Sequence, residues 1–489
     1  MKTIVITSFL VLFSFYANAQ NDETISIGKK ETIYSKVLNE NRKIWIYNPS
    51  VTSQVEDPNK RYPVLYLLDG NAHFFSTIGI IQQLSQANGN GALPELIVVG
   101  IENTNRLRDL VPAVELEKTN PFVDFLSSEL LPYIDKNYKT APYRLLVGHS
   151  LGGLTTIDIL NKFPNLFNAY IAIDPSMWYN NEQFLNNVIS KFPKQNMKGK
   201  RLFIGTANTM PKGMSLSQLK SDNSSETQHI RSIFKLDNFL KSNNNGLSYM
   251  QKYYDNETHN TVPLINEYDG LRFIFDYYHF NASEKDFADT TPLMATKLKI
   301  HYANVSEKMG YKNSAPEAFV NYIAFDALGK KQFDKAEALF KLNLEWYPES
   351  NNVYDSYADY LISQKDTVNA IANYKKSLQL KPNAASQTKL DALTKKSTSI
   401  PLAVDLQKYV GVYNLETYNI PIILELRNNK LFAKVPGQED EEFQLLSENI
   451  FTVKGKSDYR ITFQMDTNKP KGFISVQPNG TFEATFKNK

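Results

Sequence analysis

Leu145, Leu146 and Val147 form a short apolar run that breaks at Gly148-His149-Ser150-Leu151-Gly152. Gly153 follows, and then apolar residues recur at helical spacing from Leu154 to Phe163. A strand that turns into a helix through G-x-S-x-G constrains the chain more than any other stretch. The turn is so sharp that a side chain two residues before or after the serine is expected to collide with the backbone, hence the glycines. Such an elbow lifts Ser150 above a sheet edge, at the positive end of a helix. The plainer alternative is a glycine-rich turn with a bystander serine.

The surrounding sequence supplies the sheet. Lys43 to Tyr47 alternates and stops at Asn48-Pro49, Val64 to Leu68 is apolar and closes at Asp69-Gly70, and Leu96 to Val99 closes at Gly100. Tyr170 to Ile173 and Leu202 to Ile204 are further apolar runs, and Phe122 to Tyr138 has helical spacing. Continuous short apolar runs between helices mark a mostly parallel sheet with helices on both faces. Residues 25–285 therefore read as an α/β domain, and with the elbow as an α/β-hydrolase domain.

A serine hydroxyl is a weak nucleophile and needs a base. With six histidines in the chain, elimination works. His73 precedes Ser150, against the serine–acid–histidine order of this fold. His149 lies inside the elbow, where its ring is expected to point away from the hydroxyl. His229 falls on the buried face of a helical run, and His279 and His301 lie beyond the domain's last strand. His259, in a polar loop after the strand-like Ser248 to Tyr254, is the expected base. The acid that holds its tautomer is left open. Arg201 to Gly205 is followed by a dozen residues without a carboxylate. Asp222 is slightly favoured, Asp174 is the alternative, and a dyad oriented by a carbonyl or amide is the third reading. Asp222 is also suited to capping the next helix, and Asp174 to starting the turn at Pro175. Two backbone N–H groups, of Leu151 and Asn71, are expected to form an oxyanion hole. His73, Phe74, Trp178 and Tyr179 either line a substrate pocket or only pack a lid. Neither metal-ligand spacing nor a phosphate-binding glycine loop occurs, so no cofactor and no metal are expected.

The rest of the chain differs in character. Lys2, an apolar run from Ile4 to Tyr16 and Ala17-Asn18-Ala19 read as a signal peptide over residues 1–19, the alternative being a buried first helix. Cysteine is absent, which excludes disulfides, thiol nucleophiles and a lipidated N-terminal cysteine. A periplasmic or secreted protein without a membrane span in its mature form is the expectation. Net charge is +3 over 489 residues, and no basic tract with interleaved aromatics occurs, so nucleic acid is not an expected partner. Beyond residue 290, Ala324 and Ala358, Ala336 and Ala370, Phe340 and Tyr374, and Pro348 and Pro382 share one offset of 34 residues. That is the tetratricopeptide period. It predicts an all-α tetratricopeptide-like module over 290–397, with repeats at about 317–350 and 351–384, and a possible protein or peptide partner there. Residues 401–489 read as a small antiparallel β domain of short strands separated by Asn and Gly turns.

Several stretches together resemble a known family. Tyr62 to Gly70, Ile97 to Ile101 with Arg106 to Asp109, Gly148 to Leu154, Asp174-Pro175-Ser176-Met177-Trp178, and His259 with Asp269 to Phe273 are similar, in order, to the esterase family that includes esterase D, the enterochelin esterases and the mycolyltransferases. The resemblance implies carboxylic-ester hydrolysis through an acyl-enzyme on Ser150 with His259 as base. It implies siderophore-type esters or acyl groups on carbohydrates as substrates. Many members carry a Glu after an Ala-Asn pair beyond the seventh strand. Here Ala207-Asn208 is followed by Thr209, so that acid does not transfer. A scaffold protein with a vestigial hydrolase domain, and an acyltransferase using the same nucleophile, are the competing readings.

Overall fold

The computed structural model describes residues 26–51, 60–86, 91–115, 118–394, 405–467, 469–478 and 480–487. The expected signal peptide lies outside the described residues. The chain divides into two compact units, with the boundary between Leu393 and Thr394.

The first unit is built on an eight-stranded sheet. Its strands are β1 (Lys29–Ser35), β2 (Glu40–Tyr47), β3 (Tyr62–Leu68), β4 (Ile97–Ile101), β5 (Thr140–His149), β6 (Ala169–Ile173), β7 (Arg201–Ala207) and β8 (Ser248–Tyr254). Their spatial order is β1-β2-β4-β3-β5-β6-β7-β8. β2 runs antiparallel to β1 and β4, and every later pairing is parallel. β3, β4 and β6 are buried along their whole length. That is why they read as unbroken apolar runs: a strand covered on both faces has no polar side.

The period-two pleat sends alternate residues of these strands into two separate cores. Leu65, Leu67, Leu145, Ile171 and Phe203 enter one. Val64, Tyr66, Leu146, Tyr170 and Leu202 enter the other, under the helices Leu151–Lys162, Tyr179–Lys191 and Gln228–Ser242. Each fully buried Leu or Ile contributes roughly 1.5–3 kcal/mol. After β4 the chain crosses to the far side of β3, so order reverses between β3 and β5. In open α/β sheets such a reversal leaves a crevice at the carboxyl ends of the strands. Asp69 and Ser150 stand at those two ends.

The region after residue 290 corrects the expected architecture. Helices do occur there, among them Leu293–Met309, Glu317–Gly329, Phe333–Trp346, Asn351–Ser363 and Thr367–Leu380. They do not form a free-standing all-α tetratricopeptide module. Met294, Leu298, Ile323, Leu339 and Tyr374 belong to the same continuous buried cluster as Leu65 and Ile171, and the helices fall within the first unit. The 34-residue offset picks out small and aromatic residues at helix crossings: Ala324, Ala336, Ala358 and Ala370 are all 0% exposed. Such spacing reports how neighbouring helices pack. It says nothing about whether they carry a core of their own.

The second unit is a further correction, because the expected small β domain is a closed eight-stranded antiparallel barrel. Its strands are β9 (Gly411–Leu415), β10 (Ile420–Arg427), β11 (Lys430–Lys434), β12 (Glu441–Ser447), β13 (Ile450–Val453), β14 (Lys456–Asp466), β15 (Lys469–Gln477) and β16 (Gly480–Lys487). β16 pairs with β9, with Phe486 opposite Tyr413, and so removes the free edges. Aromatic rings fill the interior: Phe463 packs 4.6 Å from Tyr409 and 5.4 Å from both Phe451 and Phe473. Among the described residues no helix is long and apolar enough to cross a membrane.

Candidate active site

The elbow between β5 and the helix Leu151–Lys162 holds Ser150 at φ 60°, ψ −116°. Few non-glycine residues adopt such a conformation, and it persists only where neighbours fix it. Ser150 N–H donates to Ile173 O at 2.9 Å, and Ser150 O accepts from Leu154 N–H at 3.0 Å and Ser176 N–H at 3.1 Å. The glycines are not equivalent. A Cβ on Gly148 would lie 2.3 Å from Gly152 O, and one on Gly153 3.0 Å from Pro175 Cα. A Cβ on Gly152 meets nothing nearer than 3.4 Å, so the collision expected on that side of the serine does not arise.

Ser150 Oγ lies 3.0 Å from His259 Nε2, and His259 Nδ1 lies 2.5 Å from Asp174 Oδ2. His259 occupies the loop after β8. That loop is tied to the end of β7 by Asn208 N–H to Glu257 O at 2.8 Å and Asn208 Nδ2 to Asp255 O at 3.0 Å. A second histidine fixes it as well: His149 Nε2 lies 2.8 Å from His259 O. A carbonyl only accepts, so Nε2 of His149 carries the proton. Burial pushes the His149 imidazolium down to about 4, which keeps the ring neutral.

Asp174 ends β6 with φ 42° and is 0% exposed. Burial on its own would raise its carboxyl. Hydrogen bonds from His229 and His259, helped by Ala207 N–H, outweigh it and hold the group near 2. His229 Nε2 reaches Asp174 Oδ2 at 2.8 Å, and Ala207 N–H reaches Oδ1 at 2.9 Å. Asp222, the slightly favoured acid of the sequence reading, faces elsewhere. Its Oδ2 accepts from Ser224 N–H at 3.2 Å, Ser224 Oγ at 2.7 Å and the Thr227 hydroxyl. It therefore organises the turn before the helix Gln228–Ser242. The signal for Asp174 was its place at a strand's carboxyl end, beside the elbow.

Leu151 and Asn71 are the first and second residues of the helices Leu151–Lys162 and Gly70–Gln86. By position their N–H groups lack intrahelical partners. The loop before Asn71 is clamped: Asp69 receives Arg106 Nε and a terminal guanidinium nitrogen at 2.8 Å each, and Asn103 Nδ2 at 2.6 Å. His73 lies near the site, with its ring 5.6 Å from that of His149, itself 4.6 Å from that of His259. Phe74 does not line an open pocket. It is buried, 5.4 Å from Trp45, because it falls on the inner face of its helix. Trp178 is exposed, and Tyr179 stacks on Phe184 at 6.4 Å.

Sequence reasoning set aside His149 as pointing away and His229 as a buried-face residue, and it missed Ser176, whose Oγ is 3.3 Å from Ser150 Oγ. Asp174, His229 and His259 are residue types that can ligate a metal, and their ligand atoms lie within 4.8 Å of one another. Both nitrogens approach Asp174 Oδ2 within hydrogen-bond distance, His229 Nε2 at 2.8 Å as in a charge-assisted bond and His259 Nδ1 closer still.

Residues 35–254 match the family described as "Putative esterase", and residues 395–487 match a domain of unknown function, DUF3471. The ferri-bacillibactin esterase BesA of Bacillus subtilis is 31% identical over 188 residues, covering 33% of this chain and 64% of the relative. The apo-salmochelin esterase of Escherichia coli is 27% identical over 175 residues, covering 31% of this chain and 52% of the relative. The chain thus spans less than two thirds of either relative. An IroE-like serine hydrolase from Shewanella oneidensis is 29% identical with a TM-score of 0.51, covering 65% of this chain and 99% of that one.

Proposed function

We propose, from the esterase match over residues 35–254 and the geometry around Ser150, that this chain is an exported serine esterase acting on a siderophore-type carboxylic ester. The observation that carries the reading is the succession Ser150 Oγ, His259 Nε2, His259 Nδ1, Asp174 Oδ2, at 3.0 and 2.5 Å. The substrate class rests on the ferri-bacillibactin and apo-salmochelin esterases among the relatives. The reading of residues 1–19 as a signal peptide supports export.

In the proposed reaction Ser150 Oγ attacks the ester carbonyl carbon as His259 Nε2 takes its proton. The carbonyl π electrons move onto oxygen, and the N–H groups of Leu151 and Asn71 stabilise that oxyanion. Collapse breaks the C–O bond, and His259 returns the proton to the leaving alkoxide. Water, deprotonated by His259, then attacks the acyl carbon; collapse of that intermediate breaks the C–Oγ bond as His259 returns the proton to Ser150 Oγ, and the acid leaves. Asp174 stays ionised throughout, holds Nδ1–H and stabilises the imidazolium. A vestigial domain serving only as a scaffold drew support from the missing carboxylate after β7. Asp174 after β6 offers such a carboxylate, which weighs for the esterase reading.

The test is hydrolysis of short-chain p-nitrophenyl esters and of a catecholate siderophore ester, iron-free and ferric, beside Ser150→Ala and His259→Ala. Loss of turnover by about a thousandfold or more in both variants is expected, because such residues act as one unit. Absence of turnover in the wild type, or turnover unchanged in Ser150→Ala, would overturn the reading.

A further inference from the structure

Asp174 Oδ2 serves two imidazoles. His259 Nδ1 approaches it at 2.5 Å and His229 Nε2 at 2.8 Å. The two rings stand nearly perpendicular, 89° apart with centroids separated by 5.2 Å, while both approach one oxygen. The other carboxylate oxygen is occupied by Ala207 N–H, which prevents the carboxylate from rotating to give each histidine its own acceptor. Asp174 is ionised and accepts only, so Nε2 of His229 carries the proton.

The chain invests several contacts in placing His229. It sits in the first turn of the helix Gln228–Ser242, directly after the turn Ser225–Thr227. Asp222 binds Ser224 and Thr227 there, and Arg231 binds Thr227 Oγ1 at 2.9 Å and Ser224 O at 2.7 Å. Ser232 Oγ donates to His229 O at 2.7 Å. The carboxylate favoured from sequence as the acid thus shapes the helix start that aims a different histidine at Asp174.

We infer that His229 is a positioning residue: it shares Asp174 Oδ2 with His259, locks the carboxylate's orientation and limits how much of its charge reaches the base. This rests on the esterase reading for its catalytic consequence, but the shared oxygen itself does not depend on turnover. Two donors on one oxygen compete for the same electron density, so removing His229 strengthens the bond from His259. Other ionisable groups on the elements that carry the pair are His149 on β5, Asp222 and Arg231 in the turn and helix of His229, and Asp255 and Glu257 in the loop of His259. A kinetic change traced to His229 must therefore be separated from changes in these.

The experiment uses the full chain with His229→Leu, His229→Gln and, should the leucine variant fail to fold, His229→Ala. The first readout is the downfield proton resonance of His259 Nδ1–H, assigned by its loss in His259→Gln. It is expected to move further downfield in His229→Leu or His229→Ala, and back toward the wild-type position in His229→Gln, whose amide N–H restores a donor. The second is the pH profile of p-nitrophenyl acetate hydrolysis. In the leucine variant the acid limb of kcat/KM is expected to move up by about half a pH unit, as more negative charge faces the base. There kcat is expected to fall about tenfold as the carboxylate loosens, with KM unchanged. An unmoved resonance together with a wild-type profile would overturn the inference and leave the esterase reading intact. A moved resonance in a protein that hydrolyses no ester would uphold the shared carboxylate and overturn the esterase reading.

Discussion

Asp174 and His259 are 85 residues apart in the chain, yet the carboxylate of one lies 2.5 Å from the imidazole of the other. β6, β7 and β8 are successive parallel neighbours, so the carboxyl end of β6 and the loop after β8 come to the same edge of the sheet. That pairing has to be read from the sheet edge, because no sequence spacing encodes it.

Asp174→Asn keeps the shape of the site but offers Nδ1–H a weaker acceptor and no charge. A fall in kcat of about a thousandfold or more is expected, while Asp222→Asn alters kcat less than about threefold, because the amide oxygen still accepts from Ser224 and Thr227 and keeps the helix start that aims His229. Steady-state kinetics of the two variants on one ester decide between the two carboxylates. Equal losses in both would reject Asp174 as the acid.

Gly148→Ala places a Cβ 2.3 Å from Gly152 O, and the backbone must shift to relieve it. The expected outcome is a loss of about 2 kcal/mol or more in stability and near-complete loss of turnover. Gly152→Ala, whose Cβ meets Leu68 at 3.4 Å and Asp69 Oδ2 at 3.5 Å, both ordinary contacts, should keep the fold. Thermal unfolding of both proteins checks this contrast, which fails if Gly152→Ala is the less stable of the two.

Glu267 is 1% exposed, and burial raises its carboxyl to about 8 against the opposing hydroxyls of Thr77 and Ser76. The unfolded carboxyl titrates near 4.5. The group is therefore raised on folding. Its contribution is fully present below about pH 4.5 and is lost progressively as pH rises through about 8. Glu267→Gln should be more stable than wild type at pH 8.5, and that advantage should vanish near pH 4.5. Melting curves at the two pH values test the sign, and a variant less stable at pH 8.5 than at pH 4.5 relative to wild type would contradict it.

In the barrel, Phe463 lies between Tyr409, Phe451 and Phe473. Phe463→Ala leaves a cavity at the centre of that unit and is expected to cost about 3–5 kcal/mol. The fluorescence or NMR signals of the barrel should then melt at lower temperature, and an unchanged barrel transition would mean that the ring does not hold the interior together.

Ser150 and His259 were legible for local reasons. The elbow is written in five consecutive residues, and six histidines left few choices for the ring that meets Ser150. The sheet was legible because strands buried on both faces are apolar throughout. The closure of the barrel was not, since pairing β16 with β9 joins segments about seventy residues apart. The helices after residue 290 misled because a packing period carries no information about which core they join. Met294 and Leu298 would read the same in a free-standing module, but here they bury against the cluster that contains Leu65.

By itself the sequence determined the elbow at Ser150 and the sheet under it, since backbone strain at a turn and two-sided burial restrict residue types locally, and it proposed His259 as Ser150's partner. The tertiary structure alone decided that Asp174 faces His259, that His229 shares its oxygen, and that Asp222 serves a helix start. Side chains far apart along the chain meet only when parallel strands align their ends, and hydrogen-bond direction then selects among carboxylates that composition cannot tell apart.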